Sequence, residues 1–370
     1  MFYAESIVIV IYLAALFNSY AKATFLITLY AIALAFMEIP TGILSDKIGR
    51  KFTLTLSSVF GSLRYIFFIF GGIYESYPLF ILGSVLLGVQ HALVSGTDKA
   101  ILFESLKEMK KKKKFHNAWG KASSARQISL AIAALVGGFV AEKSYIAIFV
   151  ICLFVQIIGL IISLFLVEPK KTEKSQDHPL KHFIEAFKIV ITGRKLRNMG
   201  FARAIFIASS WTFHNIEPVF FKLLVPMWII GLTRTLKHVG GFLGFYFSGK
   251  IIDKFNHFKV LINSILLNCG LSIFAILLSS VITPFLISFL GFFYSTQQTT
   301  EASLFQEEFT DRQRATMDSI ISMFVNILFG IVVFLGGFVA DLISAKFALI
   351  LLEIFVLSSA FIYYKACAKN

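Results

Sequence analysis

Residues 42–51 have the sequence GILSDKIGRK and lie between two apolar runs, at 22–43 and 52–73. Each run reaches the roughly 20 mostly apolar residues that a helix needs to cross a bilayer. The segment between them is polar and charged, and Gly49 within it permits a tight turn at positive φ. This pattern predicts two membrane helices joined by a short polar loop.

Apolar runs of similar length recur along the whole chain. Of its 370 residues, 57% are hydrophobic and only 15% are charged, whereas soluble domains carry about 25% charged residues. The runs lack the alternating pattern of membrane barrels, so helices remain as the way to satisfy the backbone in lipid. We therefore predict an all-α integral membrane protein with twelve transmembrane helices, at residues 1–18, 22–43, 52–73, 79–100, 120–141, 144–167, 199–221, 225–249, 258–279, 281–303, 316–340 and 345–365.

The basic residues are distributed unevenly between the loops. With the amino terminus placed in the cytoplasm, 25 of the 35 Lys and Arg residues fall in cytoplasmic loops and four in external loops. This bias follows the positive-inside rule and predicts an even number of spans with both termini cytoplasmic. It also accounts for the net charge of +14 without a nucleic-acid partner. We expect a plasma-membrane location, with the bacterial inner membrane as the favoured case.

Three short motifs occur twice, at nearly constant separations of 207, 203 and 199 residues. The two copies of each motif fall at the same place in corresponding spans of the two halves. A duplicated six-helix unit explains this, and transporters are commonly built from such halves with the substrate site between them. The motifs are GILSDK at 42–47 with GKIIDK at 249–254, Thr97-Asp98 and Glu104 with Thr300-Glu301 and Glu307, and GGFVAE at 137–142 with GGFVAD at 336–341.

The duplication predicts two pseudo-symmetric six-helix bundles. Residues 1–167 contain the first six predicted spans, and residues 199–370 contain the second six. The stretch 168–198 between them is the longest polar segment of the chain, and we expect it to form a cytoplasmic linker.

The loop at 42–51 contains a Gly, three residues, an Asp, a basic residue, and then Gly-Arg followed by another basic residue. This sequence resembles the signature loop between the second and third helices of the major facilitator superfamily, and the resemblance covers essentially the whole chain. Residues 38–42 and 314–316 also resemble sequences of that superfamily. Two differences argue against a drug–proton antiporter, because span four lacks an arginine and span five lacks a proline beside its glycines.

The resemblance implies that this loop latches the two halves in the outward-facing state, against the start of span eleven near Arg314. We expect Asp46 to pair with Arg50 or to face a helix amino terminus, where the macrodipole favours an anion. We also expect an ion pair between Arg50 and Asp98. The second copy of the loop keeps its acid but has lost the Gly-Arg pair. The latch candidates are Gly42, Asp46, Gly49, Arg50, Lys51, Asp98 and Asp253.

Ionisable residues within spans are costly in lipid and therefore mark functional candidates. In span eight, Arg234, Lys237 and His238 stand at i, i+3 and i+4 and share one helical face. Two interpretations are open. The stripe could contact an anionic or zwitterionic substrate near the midplane, or it could form a buried ion pair with an internal acid such as Glu217.

Span seven carries Trp211, His214 and Glu217 at spacings of three, so neighbours in this series meet along one side. That side could line a polar cavity. We interpret His214 and Glu217 as a candidate proton-coupling pair, because histidine titrates near neutral pH. The alternative is that Glu217 is solvated, since it lies close to the outer end of its span.

Two further acids complete the set. Glu38 lies about one helical turn from the end of span two, either as a cytoplasmic gate residue or as a structural position beside Pro40. Glu5 becomes a protonation candidate if span one lies deeper in the bilayer than its apolar run indicates. The substrate and coupling candidates are Glu5, Glu38, Arg203, His214, Glu217, Arg234, Lys237 and His238.

These features predict a proton-coupled secondary transporter that works by alternating access. The sequence contains no GxxxxGKS/T loop, no HExxH and no GxSxG, so we expect no enzyme, cofactor or metal. The expected partners are a small-molecule substrate and the lipid bilayer, and we expect a monomer. A channel and a non-transporting membrane sensor with the same fold remain as alternatives.

Overall fold

The computed structural model describes residues 9–111, 114–169, 187–188, 191–308 and 314–367. The described residues form helices joined by short turns, with no strand among them. Fourteen helices are defined in these ranges. They are α1 (Ile9–Phe17), α2 (Tyr20–Ile48), α3 (Arg50–Ile73), α4 (Tyr77–Val94), α5 (Thr97–Glu108), α6 (Phe115–Lys143), α7 (Tyr145–Leu164), α8 (Arg194–Lys222), α9 (Met227–Phe255), α10 (His257–Leu278), α11 (Thr283–Ser288), α12 (Leu290–Glu308), α13 (Arg314–Leu342) and α14 (Ala345–Cys367).

The helices confirm an all-helical membrane protein. Within the described residues, eight segments are long and apolar enough to cross a membrane. Helices α8 and α9 are not among them, because charged side chains inside both helices lower their hydropathy. The number twelve stays a prediction. The eight segments are Tyr20–Ile48, Arg50–Ile73, Tyr77–Glu108, Ala118–Lys143, Tyr145–Leu164, His257–Leu278, Ser319–Leu342 and Ala345–Ala366.

Three helix boundaries differ from those that the apolar runs predict. The run at 79–100 contains a break at Gly96, whose φ of 73° ends α4 and starts α5. The run at 281–303 divides into α11 and α12 on either side of Phe289. Helix α8 begins at Arg194, inside the stretch assigned to the linker, because its backbone stays helical beyond the apolar residues.

Helices from the two sequence copies pack together through glycines of the repeated GGFVA motif. Where α6 crosses α9, a Cβ on Gly231 would lie 2.7 Å from the Ala134 carbonyl oxygen and 2.9 Å from the Cα of Gly138. Where α13 crosses α2, a Cβ on Gly337 would overlap the side chain of Thr24. Small residues let membrane helices approach this closely. Gly138 and Gly337 are the second glycines of their motifs, so the two copies make equivalent contacts.

The acid that ends each motif copy caps a helix of the other copy. Asp341 accepts hydrogen bonds from the backbone N–H groups of Tyr20 at 2.6 Å and Ala21 at 2.8 Å, at the start of α2. Glu142 accepts one from the backbone N–H of Met227 at 2.9 Å, at the start of α9. The first N–H groups of a helix have no partner within it, and its dipole favours an anion there. We call this end of the molecule the capped end.

The opposite ends of α2 and α9 have open surroundings. A Cβ added to Gly42 on α2 or to Gly249 on α9 would meet no described atom within 4 Å. The same holds for Gly120 on α6. We call this end, which carries the 42–51 loop, the loop end. The helices that join the two copies are therefore held together at the capped end, while these three glycines of the loop end have no such close neighbour among the described atoms.

Candidate functional site

Two adjoining cavities, each of about 340 Å³, lie between helices of the two copies. One is lined mainly by α8, α9, α10, α12 and α14, and the other mainly by α1, α2, α3 and α4. Arg126, Trp211 and His214 line both, so the cavities meet beside α6 and α8. Together they form what we call the central cavity, and its size suits a small metabolite. Of the three residues that the sequence places along one side of span seven, Trp211 and His214 line this cavity and Glu217 does not.

Glu217 on α8 is the centre of a buried charge cluster. Its side chain is only 1% exposed, and its carboxylate lies 3.2 Å from a guanidinium nitrogen of Arg234 and 3.1 Å from Nζ of Lys237. His214, one turn earlier, places Nδ1 3.4 Å from the same carboxylate. Ions buried in a protein need such partners to offset their desolvation. The internal pairing is therefore the interpretation that the structure shows for Arg234.

The alternative of a solvated Glu217 is wrong. Helix α8 continues to Lys222 before it ends, so Glu217 lies more than one turn inside it. The cationic face of α9 then covers the carboxylate, and water does not reach it. Contacts with α9, rather than the point where α8 ends, decide this burial, because the predicted span ends at 221 and the helix ends one residue later.

A proline explains the second contact of Arg234. Pro218 stands four residues after His214 and has no N–H to donate, so the His214 carbonyl lacks its helical partner. Arg234 supplies that donor, with one guanidinium nitrogen 2.5 Å from the His214 carbonyl oxygen. Its other terminal nitrogen lies 2.5 Å from Nε2 of the His214 ring. Arg234 is thus fixed on three sides and acts as the brace between α8 and α9.

Positive charge faces the central cavity. Lys237 and His238 of α9 line it together with Arg126 of α6. Arg126 is exposed and makes no ion pair or hydrogen bond with a described residue. Since Glu217 is already shared by Arg234 and Lys237, the cavity carries an excess of positive charge. Such a surface favours an anionic group on a ligand.

The first copy contributes a smaller polar group to the cavity wall. The hydroxyl of Tyr30 on α2 lies 2.8 Å from Nδ1 of His91 on α4. Arg64 on α3 lies nearby and is fully buried, with its guanidinium carbon 4.0 Å from the ring centroid of Tyr65. Tyr30, His91 and Arg64 all line the half of the cavity formed by α1 to α4.

Arg203 belongs to a different cluster. Its Nε lies 3.7 Å from the carboxylate of Glu301 on α12, and its guanidinium carbon lies 5.1 Å from the ring centroid of Phe305. Tyr363 on α14 donates a hydrogen bond to the same carboxylate. None of these side chains lines the central cavity. The structure therefore places Arg203 in an internal ion pair, away from His214 and the span-eight cations.

The 42–51 loop is held by Glu168, the first residue of the stretch that the sequence assigns to the linker. Gly49 has a φ of 129°, which fits the predicted turn. Glu168 accepts hydrogen bonds from the backbone N–H groups of Arg50 at 2.7 Å and Lys51 at 2.6 Å, at the start of α3. The macrodipole of α3 favours that anion at its amino end.

Arg50 confirms one expected pair and corrects another. Its guanidinium lies 2.8 Å from Asp46, as expected. Its second partner is Glu104, at 3.2 Å, and not Asp98. The reason is the break at Gly96, which starts a new helix and brings the residue two turns later towards the loop. Asp98 instead accepts a hydrogen bond from the neighbouring backbone N–H.

Two further candidates, Glu38 and Asp253, lie outside the central cavity. Glu38 accepts a hydrogen bond of 3.3 Å from the hydroxyl of Ser95, which joins α2 to the end of α4. Asp253, the second-copy acid, is exposed on the last turn of α9. Glu5 and the Arg314 side chain lie outside the described residues and side chains.

Comparisons with known proteins identify the family. The sequence profile of the Major Facilitator Superfamily matches residues 1–286. This chain belongs to the major facilitator superfamily. No functionally curated protein matches it.

Several solved superfamily transporters share the fold. The nucleoside transporter NupG matches with a TM-score of 0.78 at 14% identity, over 99% of this chain and 96% of that chain. A bacterial homologue of the human lysosomal transporter Spinster matches with a TM-score of 0.74 at 16% identity, over 100% and 95%. The fucose:proton symporter FucP of E. coli matches with a TM-score of 0.59 at 14% identity, over 98% and 96%. At these identities the likeness shows the fold, which this chain shares with these transporters.

Sequence reasoning missed several residues of the cavity. Arg126 and Glu353 are recognisable as charges within spans, but nothing in their spacing relates them to span eight. Asn268, Tyr294 and Gln298 also line the cavity and carry no signal of their own, since uncharged polar residues occur in many membrane helices.

Replacing Glu217 tests the charge cluster. Glu217→Gln leaves Arg234 and Lys237 buried without a counter-charge, and breaking such a pair costs about 3–5 kcal/mol. We expect a clearly lower thermal unfolding midpoint for the purified protein in detergent. Glu75→Gln, at an exposed turn, is the matched control and should leave the midpoint unchanged. Equal midpoints for the two variants would show that the cluster adds no stability.

Proposed function

We propose that this superfamily member is a secondary active transporter that moves a small anionic or zwitterionic solute by alternating access, coupled to protons. In this proposal, twelve spans form two six-helix bundles, residues 1–167 and 199–370, joined by a cytoplasmic linker. The central cavity at their seam holds the solute.

One observation carries the proposal. The central cavity lies between helices of the two copies, and close glycine contacts and helix caps join the two copies at the capped end. There the second glycine and the terminal acid of each motif copy contact the other copy, while Gly42, Gly120 and Gly249 at the loop end have open surroundings. A cavity closed at one end is the arrangement that alternating access requires. A channel, the alternative, would need both ends open at once.

Two findings support the assignment of this structure to the state that opens at the loop end. Asp46 is 68% exposed and, among the described side chains, is paired with Arg50 of its own loop. The fold also superposes better on the Spinster homologue, solved in an inward-facing conformation, than on FucP, solved in an outward conformation, with TM-scores of 0.74 and 0.59. In the opposite state, Asp46 and the 42–51 loop would engage the start of α13 and close the loop end.

The charges of the cavity support the class of solute. Arg126 is free of partners among the described residues, and Lys237 reaches the cavity from the cluster around Glu217. An incoming carboxylate or phosphate would bind Arg126 directly and could compete with Glu217 for Lys237. We assign the coupling to protons because the buried acid of α14 borders the cavity and offers an exchangeable site, and because no nucleotide-binding loop is present.

The duplicated caps give the first test. Removing the charge in the double variant Glu142→Gln, Asp341→Asn weakens two helix caps, each worth about 0.5–2 kcal/mol. We expect the population that opens at the capped end to rise several-fold. Spin labels are attached to cysteines introduced at positions 75 and 281 in a chain without native cysteines. Glu75 and Val281 are both exposed at the capped end and belong to opposite copies. The opening is then measured as a longer label-to-label distance in double electron–electron resonance.

Each single variant should shift the distances in the same direction by a smaller amount. Asp98→Asn, an acid at the loop end, is the control and should leave the distances at the capped end unchanged. Unchanged distances in the double variant would contradict the assignment of these acids to closure.

The free cation gives the second test. We expect small carboxylates and phosphorylated metabolites to raise the unfolding midpoint of the wild-type protein, while neutral sugars of similar size do not. Arg126→Ala should abolish these shifts, because it removes the cavity cation without touching the Glu217 cluster. Lys121→Ala is the matched control and should keep the shifts, because Lys121 is exposed on the same helix but does not line the cavity. Equal shifts in both variants would rule out Arg126 as the anion site.

A further inference from the structure

Glu353 is a buried acid of the central cavity that the charge cluster does not include. It lies near the middle of α14, its residue is 4% exposed, and it lines the cavity beside Lys237 and Asn268. Its Oε2 has no hydrogen-bond partner among the described residues. This sets it apart from Glu217, whose two oxygens are both occupied by Lys237.

The helices that pack against α14 offer Glu353 little compensation. From α10 come two neutral groups, the thiol of Cys269 and the hydroxyl of Ser272. From α9 comes Lys237, which acts on Glu353 electrostatically but lies in contact with Glu217 instead. From α8 comes Glu217 itself, whose negative charge opposes a second one. Among the described side chains of α13, the one acid is Asp341, which lies at the capped end.

The two buried acids therefore suit different tasks. A carboxylate surrounded by three cationic or hydrogen-bonding side chains is stable as an ion, and Glu217 has three. A carboxylate without a cation in contact is costly in a low-dielectric site, and a bound proton removes that cost. A carboxyl that also borders a cavity can exchange its proton with water whenever the cavity opens.

We propose that Glu353 is the proton-binding site of this transporter, in place of the His214–Glu217 pair that the sequence favours. The inference rests on the proposed proton coupling. In the protonated state, the O–H of Glu353 removes its charge. When the cavity opens to the side of lower proton concentration, this O–H bond breaks, the electron pair stays on the carboxylate, and the proton passes to cavity water.

Deprotonation has a consequence for the charge cluster. The new carboxylate attracts Lys237, which then divides its interaction between Glu353 and Glu217. An anionic solute near Lys237 and the charged form of Glu353 compete for the same ammonium group. Binding of the solute therefore favours the protonated form of Glu353, so the solute and the proton bind together and cross the membrane in the same direction.

Infrared difference spectroscopy during a pH titration tests the site directly. The probe is the proton itself, on purified protein reconstituted in lipid vesicles. We expect a C=O stretching band of a protonated, buried carboxyl in the wild-type protein near neutral pH. The band should be lost in Glu353→Gln and retained in Glu75→Gln. It should persist at a shifted frequency in Glu353→Asp, which keeps a carboxyl and guards against a folding defect in the first variant.

A band that is unchanged in Glu353→Gln and in Glu353→Asp would overturn the assignment, as would the absence of such a band in the wild type. The measurement needs no transported solute. An error in the proposed solute or transport cycle therefore leaves its result unchanged, and that cycle fails separately if solute accumulation survives collapse of the pH gradient.

Discussion

The first N–H groups of a helix have no partner within it, so they need acceptors from elsewhere in the protein or from water. Here the first N–H groups of α2 and α9 are served by carboxylates from the opposite sequence copy, Asp341 and Glu142. Each carboxylate stands one turn beyond a glycine that allows the two helices to touch. A single six-residue motif thus supplies both the close approach and the cap. Because the motif is duplicated, closing one end of the cavity is a symmetric event that involves both halves equally.

The need of a buried polar group for partners also distinguishes the acids in the middle of the membrane from one another. The carboxylate of Glu217 lies within ion-pair distance of Arg234, Lys237 and His214, and so joins α8 to α9 as a fixed unit. Glu301 gathers Arg203 and Tyr363 on another face of α8. Among the described side chains, Glu353 has no cation in contact, and its Oε2 has no hydrogen-bond partner. Two of these acids therefore act as structural ties and the third is available for exchange, a distinction that follows from their neighbours and not from their residue type.

Much of the fold was predictable from the sequence because it depends on local pattern. Apolar runs locate the helices, and GILSDKIGRK requires the turn at Gly49. The GGFVA repeat reveals the duplication. Which residues contact one another in the folded protein was harder to predict from the sequence. The choice of Glu104 over Asp98 depends on the helix break at Gly96, and the burial of Glu217 depends on how α9 packs against α8. The positions of Arg126 and Glu353 in the cavity depend on how distant helices cross. The capping roles of Glu142 and Asp341 could not be predicted, because in the sequence an acid at a helix end looks the same whether it is solvated or caps another helix.

The central claim is that the cavity opens at the loop end and is sealed at the capped end in this conformation. Gln127, which lines the cavity on α6, allows a direct measurement as the single cysteine variant Gln127→Cys in a chain without native cysteines. A membrane-impermeant thiol reagent is applied to vesicles of each orientation. The account predicts rapid modification from the side of the 42–51 loop and little from the side of Glu142 and Asp341. Modification that is equal from both sides, or faster from the capped side, would contradict it.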